Sequence, residues 1–272
     1  MKKLITCSLV FFLAFIFITG CTDDYVTNPA EPKNTFVLIH GAWQAPFVWN
    51  DVEAKLVAAG YKVVVVELPA HGDDTTSPAN VTMDIYRDKV VDAINKIDGK
   101  VILVGHSMGG VVITETAEAI PNKIDKLIYI GAFLPANGQS LLDLANMDAQ
   151  SLLGPALIPA DGGLTLDIIK DSITTIFCED GTAAQQQLVL DNFKPEPAIP
   201  FGNAVTITAA NFGSVDKYYI HTALDNAVGI DLQNRMAAAA NITKEYSLNT
   251  GHCPFITNAD ATSQLLLQIA NN

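Results

Sequence analysis

The sequence predicts an α/β fold with a mostly parallel central sheet, helices on both of its faces and an inserted helical cap. Short apolar runs bounded by turn residues alternate with longer segments of helical spacing, the pattern of buried parallel strands and crossover helices. With 272 residues, 49% of them hydrophobic, the chain has enough apolar surface for one such core. The alternation breaks from Leu134 to about Asn211 into Pro-, Gly- and Ala-rich chain and then resumes, so this stretch reads as an insertion into a single domain.

At the start, Lys2 and Lys3 precede an apolar run from Leu4 to Ile18, which ends in Ile18-Thr19-Gly20-Cys21. The run is shorter than the ~20 apolar residues that a membrane-crossing helix needs, so residues 1–20 read as a secretory leader. Small residues before a cysteine resemble the lipobox of bacterial lipoproteins, which implies that Cys21 is lipidated and becomes the mature N-terminus. Two acyl chains supply the double signal that stable anchoring requires. The expected location is extracytoplasmic, lipid-anchored to the bacterial cell envelope through Cys21, and Asp23 and Asp24 look like the export tag of surface-exposed lipoproteins. Residues 21–34 lack periodicity and are rich in Asp, Asn, Thr and Pro, so they read as a flexible tether to a domain at 35–272.

The chain carries 16 basic and 29 acidic residues, and loss of Lys2 and Lys3 with the leader moves the net charge from −13 to −15. Such a balance suits solubility and excludes nucleic acid as an expected partner. Of the four cysteines, Cys7 leaves with the leader and Cys21 takes lipid. Cys178 and Cys253 remain, and both are expected to be free thiols.

Along the domain, strands are expected at Phe36 to Ile39, Lys62 to Glu67, Lys100 to Val104, Lys126 to Ile130, Lys217 to His221 and Thr243 to Ser247. Helices are expected at Val52 to Ala59, Met83 to Ile97, Gly109 to Ala119, Leu232 to Ala240 and Asp260 to Ile269. The third strand runs into Gly105-His-Ser-Met-Gly-Gly110 and then a helix. A bare G-x-S-x-G is common, but strand, motif and helix in this order are what a nucleophile elbow needs, with Ser107 projecting its hydroxyl above the sheet. A helix N-terminus directly after the serine favours a developing oxyanion. The two N–H donors for that oxyanion are expected from Met108, next after the serine, and from Ala42, in the loop after the first strand.

The base must reach Ser107 and be oriented by a carboxylate, and in an elbow-bearing fold the chain order is Ser, acid, His. His252, in Asn249-Thr-Gly-His-Cys-Pro254 between the last strand and the last helix, fits that order. His71 and His106 precede or adjoin the serine, His221 ends a strand with no helix after it, and His40 is expected to pack locally. For the acid, Asp225 lies within the loop after the penultimate strand, whereas Asp231 begins the next helix, where a carboxylate has an ordinary dipole role. After the strand ending at Ile130, Gly131-Ala-Phe-Leu-Pro135 offers no carboxylate.

Three stretches resemble the plant methylesterase and hydroxynitrile lyase family of α/β-hydrolases, which includes small bacterial esterases: Phe36-Val-Leu-Ile-His-Gly-Ala-Trp43 on to Val63, Lys100 to Gly110, and Phe212-Gly-Ser-Val-Asp-Lys-Tyr-Tyr-Ile220 through to His252. The resemblance implies a single-domain hydrolase with a helical cap, no cofactor and no metal, and it puts the family's triad at Ser107, Asp225 and His252. The lyase branch usually has Thr after the first strand's histidine and Lys directly after the catalytic one. Gly41 and Cys253 stand there instead, which favours the esterase branch.

The expected activity is hydrolysis of a small carboxylic ester, of methyl or aryl type, through an acyl-enzyme. Alternatives on the same residues are a lactonase, a thioesterase or a hydroxynitrile lyase, and a non-catalytic ligand-binding lipoprotein is a third class. Trp43, Met108, Phe133 and Leu134 either line an apolar substrate pocket or are ordinary packing, since the two share a composition.

Overall fold

Strands whose residues are apolar on both sides belong in the middle of a sheet covered on both faces, and the structure puts them there. The computed structural model describes residues 34–272. The leader, Cys21 and the tether up to residue 33 lie outside the described residues. From the N-terminal side the elements are β1 (Thr35–Ile39), α1 (Asn50–Ala58), β2 (Val63–Val66), α2 (Met83–Asn95), β3 (Val101–His106), α3 (Gly109–Ala119) and β4 (Ile124–Ile130). After an insertion, β8 (Asp216–Thr222), α8 (Ile230–Ala239), β9 (Glu245–Leu248), α9 (Pro254–Thr257) and α10 (Ala259–Ala270) complete the domain.

Six strands pair in the order β2-β1-β3-β4-β8-β9, every neighbouring pair parallel. β1 and β3 are buried at every position, while the outer strands β2 and β9 are only partly covered. On the helical layers, α1 packs on α10 and α2 on α3. Side chains close the helix starts where the first N–H groups lack partners: Thr82 accepts from the Ile85 amide and Asn258 from the Ala261 amide.

The register decides where the site lies. Ile39 pairs with Gly105, His106 with Ile130, Ile130 with Ile220, and Thr222 with Leu248. The carboxyl ends of β1, β3, β4, β8 and β9 are therefore level, and the loops that follow them open on one edge of the sheet.

The insertion carries the expected helices and a small sheet besides. It contains α4 (Leu141–Ala145), α5 (Leu153–Ala156), α6 (Ile173–Phe177) and α7 (Ala183–Asn192), but also an antiparallel sheet of β5 (Leu157–Ala160), β6 (Thr165–Ile168) and β7 (Glu196–Pro197). β6 is the central strand, and Pro159 and Pro197 fall on the outer two, where a missing N–H breaks no central ladder. Strands this short, with prolines in them, have no period to read.

β3 and α3 come together at Gly105. A Cβ built there would lie 2.6 Å from the Gly109 carbonyl oxygen, so only glycine lets the helix start so close to the strand. Gly105→Ala should lower stability by about 1–3 kcal/mol, as an overpacked core does, read as a lower urea midpoint at unchanged slope.

Candidate active site

Between β3 and α3 the chain turns through Ser107 at φ +54°. A left-handed conformation at a residue other than glycine costs of order 1–3 kcal/mol and needs support from its surroundings. Here the Ser107 amide donates to the Ile130 carbonyl at 3.4 Å, and the Ser107 carbonyl accepts from Gly110 and Phe133 at 3.0 and 3.1 Å. β4's exit thus clamps the turn from one side.

The loop after β1 presses from the other. A Cβ on Gly41 would lie 2.8 Å from the Ser107 Cβ, so this backbone passes directly against the serine. The amides of Ala42 and Met108 donate to no acceptor among the described residues. Two N–H groups, one in the loop that touches Ser107 and one just after it, are thus uncommitted.

The five histidines separate by their partners. His40 donates from Nδ1 to the Gly41 carbonyl at 2.9 Å and accepts from the Leu68 amide at 3.2 Å, which fixes a neutral tautomer. Burial, and then the nearby His71 charge, hold its pKa down at about 3. His71 contacts Glu196 at 2.7 Å, and His221 contacts Glu245 at 2.7 Å. His106 donates from Nε2 to the His252 carbonyl at 2.8 Å, and burial, before the proximity of His252, keeps its pKa well below the usual imidazole value.

His106 and His221 each also keep a buried Nδ1 without a partner among the described residues, so what sets His252 apart is its buried carboxylate together with its place beside the serine turn. His252 Nδ1 lies 2.8 Å from Asp225 Oδ2, and the buried Nε2 has no hydrogen-bond partner among the described residues. A proton on Nδ1, facing a carboxylate, leaves a lone pair on Nε2, which is the form that accepts a proton. The ring centroid is 4.4 Å from that of His106, the residue before Ser107.

Asp225 is held through both of its carboxylate oxygens. Its Oδ1 accepts from the Ala227 and Val228 amides at 2.7 and 2.8 Å, and its Oδ2 also accepts from the Thr222 hydroxyl at 2.6 Å. Every partner donates, the surroundings of a carboxylate that carries no proton. Asp231 is exposed in the first turn of α8, away from any histidine contact.

Residues that sequence reasoning missed hold these groups in place. Gln233, fully buried on α8, accepts from the Thr222 amide and donates to the carbonyls of Thr222 and Val228, which shapes the Asp225 loop. A glutamine between Leu232 and Met236 on the apolar stripe was its only signal. Asp180, from the insertion, accepts from the Gly251 amide at 2.9 Å and the Thr257 hydroxyl at 3.0 Å, and Phe177 lies against the His252 ring at 5.6 Å. His106 had no signal beyond its place beside the serine.

The apolar residues read from the sequence go to different surroundings. Trp43 packs between Phe177 and Phe201, with its indole N–H on the Leu166 carbonyl at 2.7 Å. Met108 is fully buried and Phe133 nearly so. Leu134 lines a cavity of about 480 Å³ together with Leu144, Ile207 and Met236, and neither Ser107 nor His252 belongs to its wall.

Comparison with known proteins bears on the family and the fold. The model of the alpha/beta hydrolase family matches residues 36–265. Putative methylesterase 11, chloroplastic, of Arabidopsis thaliana is 31% identical over 260 residues, which is 91% of this chain and 65% of that protein. The chain therefore spans under two thirds of that relative's length. Methylesterase 2 of the same plant is 27% identical, covering 88% of this chain and 97% of its own. Among solved structures, an extracellular alpha/beta-hydrolase from a Paenibacillus species, said to share structural and functional homology with tobacco salicylic acid binding protein 2, superposes with a TM-score of 0.77 at 27% identity over 86% of this chain and 98% of its own. Polyneuridine aldehyde esterase gives a TM-score of 0.76 at 20% identity over 88% and 99%, a likeness of fold.

Cys178 and Cys253 are both free and buried. Burial, then Asp180, pushes the Cys178 thiol up to about 11, and burial raises Cys253 well above the usual thiol value. Since the thiolate is the reactive form, iodoacetamide at pH ~8 should leave both unmodified in the native protein and alkylate both in denaturant, as read by peptide mass mapping.

Proposed function

We propose that this chain, which belongs to the alpha/beta hydrolase family, is a serine esterase that cleaves small carboxylic esters of methyl or aryl type. The observation that carries this reading is the buried Asp225–His252 pair, 2.8 Å apart, with His252 Nε2 left without a partner beside the left-handed turn at Ser107. His106 and His221 also keep an unpartnered Nδ1, so it is the position of His252 beside Ser107, with Asp225 behind it, that supports the reading.

In the proposed reaction, Ser107 Oγ attacks the ester carbonyl while His252 Nε2 takes the hydroxyl proton. The amides of Ala42 and Met108 hold the oxyanion of the tetrahedral intermediate. Collapse of that intermediate expels the alcohol, which receives the proton from His252, and leaves an acyl ester on Ser107. Water, deprotonated by His252, then attacks the acyl group and releases the acid and the free serine. Asp225 keeps the proton on His252 Nδ1 and stabilises the imidazolium without itself becoming protonated.

Gly41 supports esterase over lyase chemistry. The threonine that the lyase branch usually has at this place would push its Cβ to 2.8 Å from the Ser107 Cβ, and Cys253 stands where that branch has lysine. The methylesterase relatives point to the same substrate class. We also propose that Cys21 carries lipid and anchors the enzyme outside the cytoplasm. The small residues before Cys21 support this, and the Paenibacillus relative is itself described as extracellular.

Purified protein should hydrolyse methyl esters or aryl acetates in a panel that also holds lactones, thioesters and cyanohydrins; turnover of cyanohydrins alone would overturn the assignment. A fluorophosphonate probe should label the wild type on Ser107 and leave Ser107→Ala unlabelled and inactive. Asp225→Asn should lower kcat by about 10⁴ by imposing the wrong imidazole tautomer, while Asp231→Asn should stay near wild type. For the anchor, Cys21→Ser should move the protein from the detergent phase to the aqueous phase in Triton X-114 partitioning.

A further inference from the structure

We propose that Glu196, on strand β7 of the insertion, is a positioning residue that holds the loop bearing the Ala42 amide in its reactive shape. This inference rests on the esterase reading above. Glu196 is fully buried, and its carboxylate is shared among three donors from three separate parts of the chain. Oε2 accepts from the Trp43 amide at 2.9 Å and from His71 Nε2 at 2.7 Å, and Oε1 accepts from the Tyr86 hydroxyl at 2.9 Å.

The charge state follows from the geometry. His71 Nδ1 faces the Pro69 carbonyl at 3.0 Å and so carries a proton, while Nε2 faces the carboxylate and needs a second. The pair is an imidazolium on a carboxylate, although burial alone would strip the charge from the ring; Glu196 outweighs burial and raises the His71 pKa. A buried ion pair gives little net stability compared with apolar packing, so its presence calls for another reason.

Trp43 provides one. It sits at φ +59°, a conformation that a bulky residue adopts only when its neighbours enforce it. All three of its tethers come from the insertion: its amide to Glu196, its indole N–H to the Leu166 carbonyl at 2.7 Å, and its carbonyl from the Lys194 amide at 3.4 Å. The peptide between Ala42 and Trp43 is thereby fixed, and with it the rotation of Ala42, whose own N–H is one peptide earlier. Since an oxyanion donor works only within a few tenths of an ångström of its proper place, the charge on Glu196 is converted into the aim of that N–H. The insertion thus completes the site by shaping a loop of the main domain, in addition to covering it.

A merely structural ion pair and a positioning residue differ in what their loss does to chemistry. In the full-length protein, with p-nitrophenyl acetate as substrate, Glu196→Gln should lower kcat about tenfold to a hundredfold, less than the ~10²–10³ of a donor removed outright. KM should stay within about twofold. A trifluoromethyl ketone, which forms a tetrahedral oxyanion on the serine, should bind more weakly by the same factor as kcat falls. Tyr86→Phe removes one donor to the carboxylate without touching the loop, and should shift kcat and ketone binding in the same direction by a smaller factor. It also keeps the test decisive if Glu196→Gln fails to fold. Unchanged kcat and ketone affinity in the folded variants, whatever their Tm, would overturn the inference alone. A wild type that neither hydrolyses esters nor labels with fluorophosphonate would overturn the esterase reading and this inference with it.

Discussion

The turn at Ser107 is the constraint around which this protein is arranged. A left-handed serine between a parallel strand and a helix is unfavourable by itself, and it persists because backbone from three directions confines it. β4's exit supplies hydrogen-bond partners to both its amide and its carbonyl, the loop after β1 packs against its Cβ, and α3 begins within contact of β3 because Gly105 has no side chain. Removing the strain would need movement of all three at once, and the packing density of a core resists that.

The parallel register turns this local strain into a site. Loops from strands far apart in sequence meet at one edge, so an imidazole from the end of the chain approaches a serine near its middle. Burial then raises the importance of each polar contact, because an unpartnered group in a low-dielectric interior is costly. Asp225 answers with five donors around one carboxylate, while the Nε2 of His252, one of several buried polar atoms left without a partner among the described residues, is the one the proposed chemistry uses. The insertion takes part as well: Asp180 fixes the loop before His252 and Phe177 covers the ring.

Much of the fold was legible in the chain. The observed strands and helices of the main sheet lie within a few residues of those expected from apolar runs and helical spacing, and β3 extends to His106 because the strand continues into the turn. The preference for Asp225 over Asp231 followed from loop against helix, and the contacts of the two residues differ accordingly. The antiparallel sheet of the insertion was not legible, because strands of two to four residues, the outer two containing proline, are too short to show an alternation. Glu196, in Lys-Pro-Glu-Pro, was equally silent: its importance lies in a contact across 153 positions of sequence with Trp43.

The sequence by itself determined the alternation of strands and helices, the strand–serine–helix turn and the chain order of nucleophile, acid and base, because each rests on local propensity, spacing or glycine placement. Only the tertiary structure decided which polar groups were left without partners and which were saturated. That distinction depends on desolvation and on hydrogen bonds between distant segments, which exist only once the chain has packed.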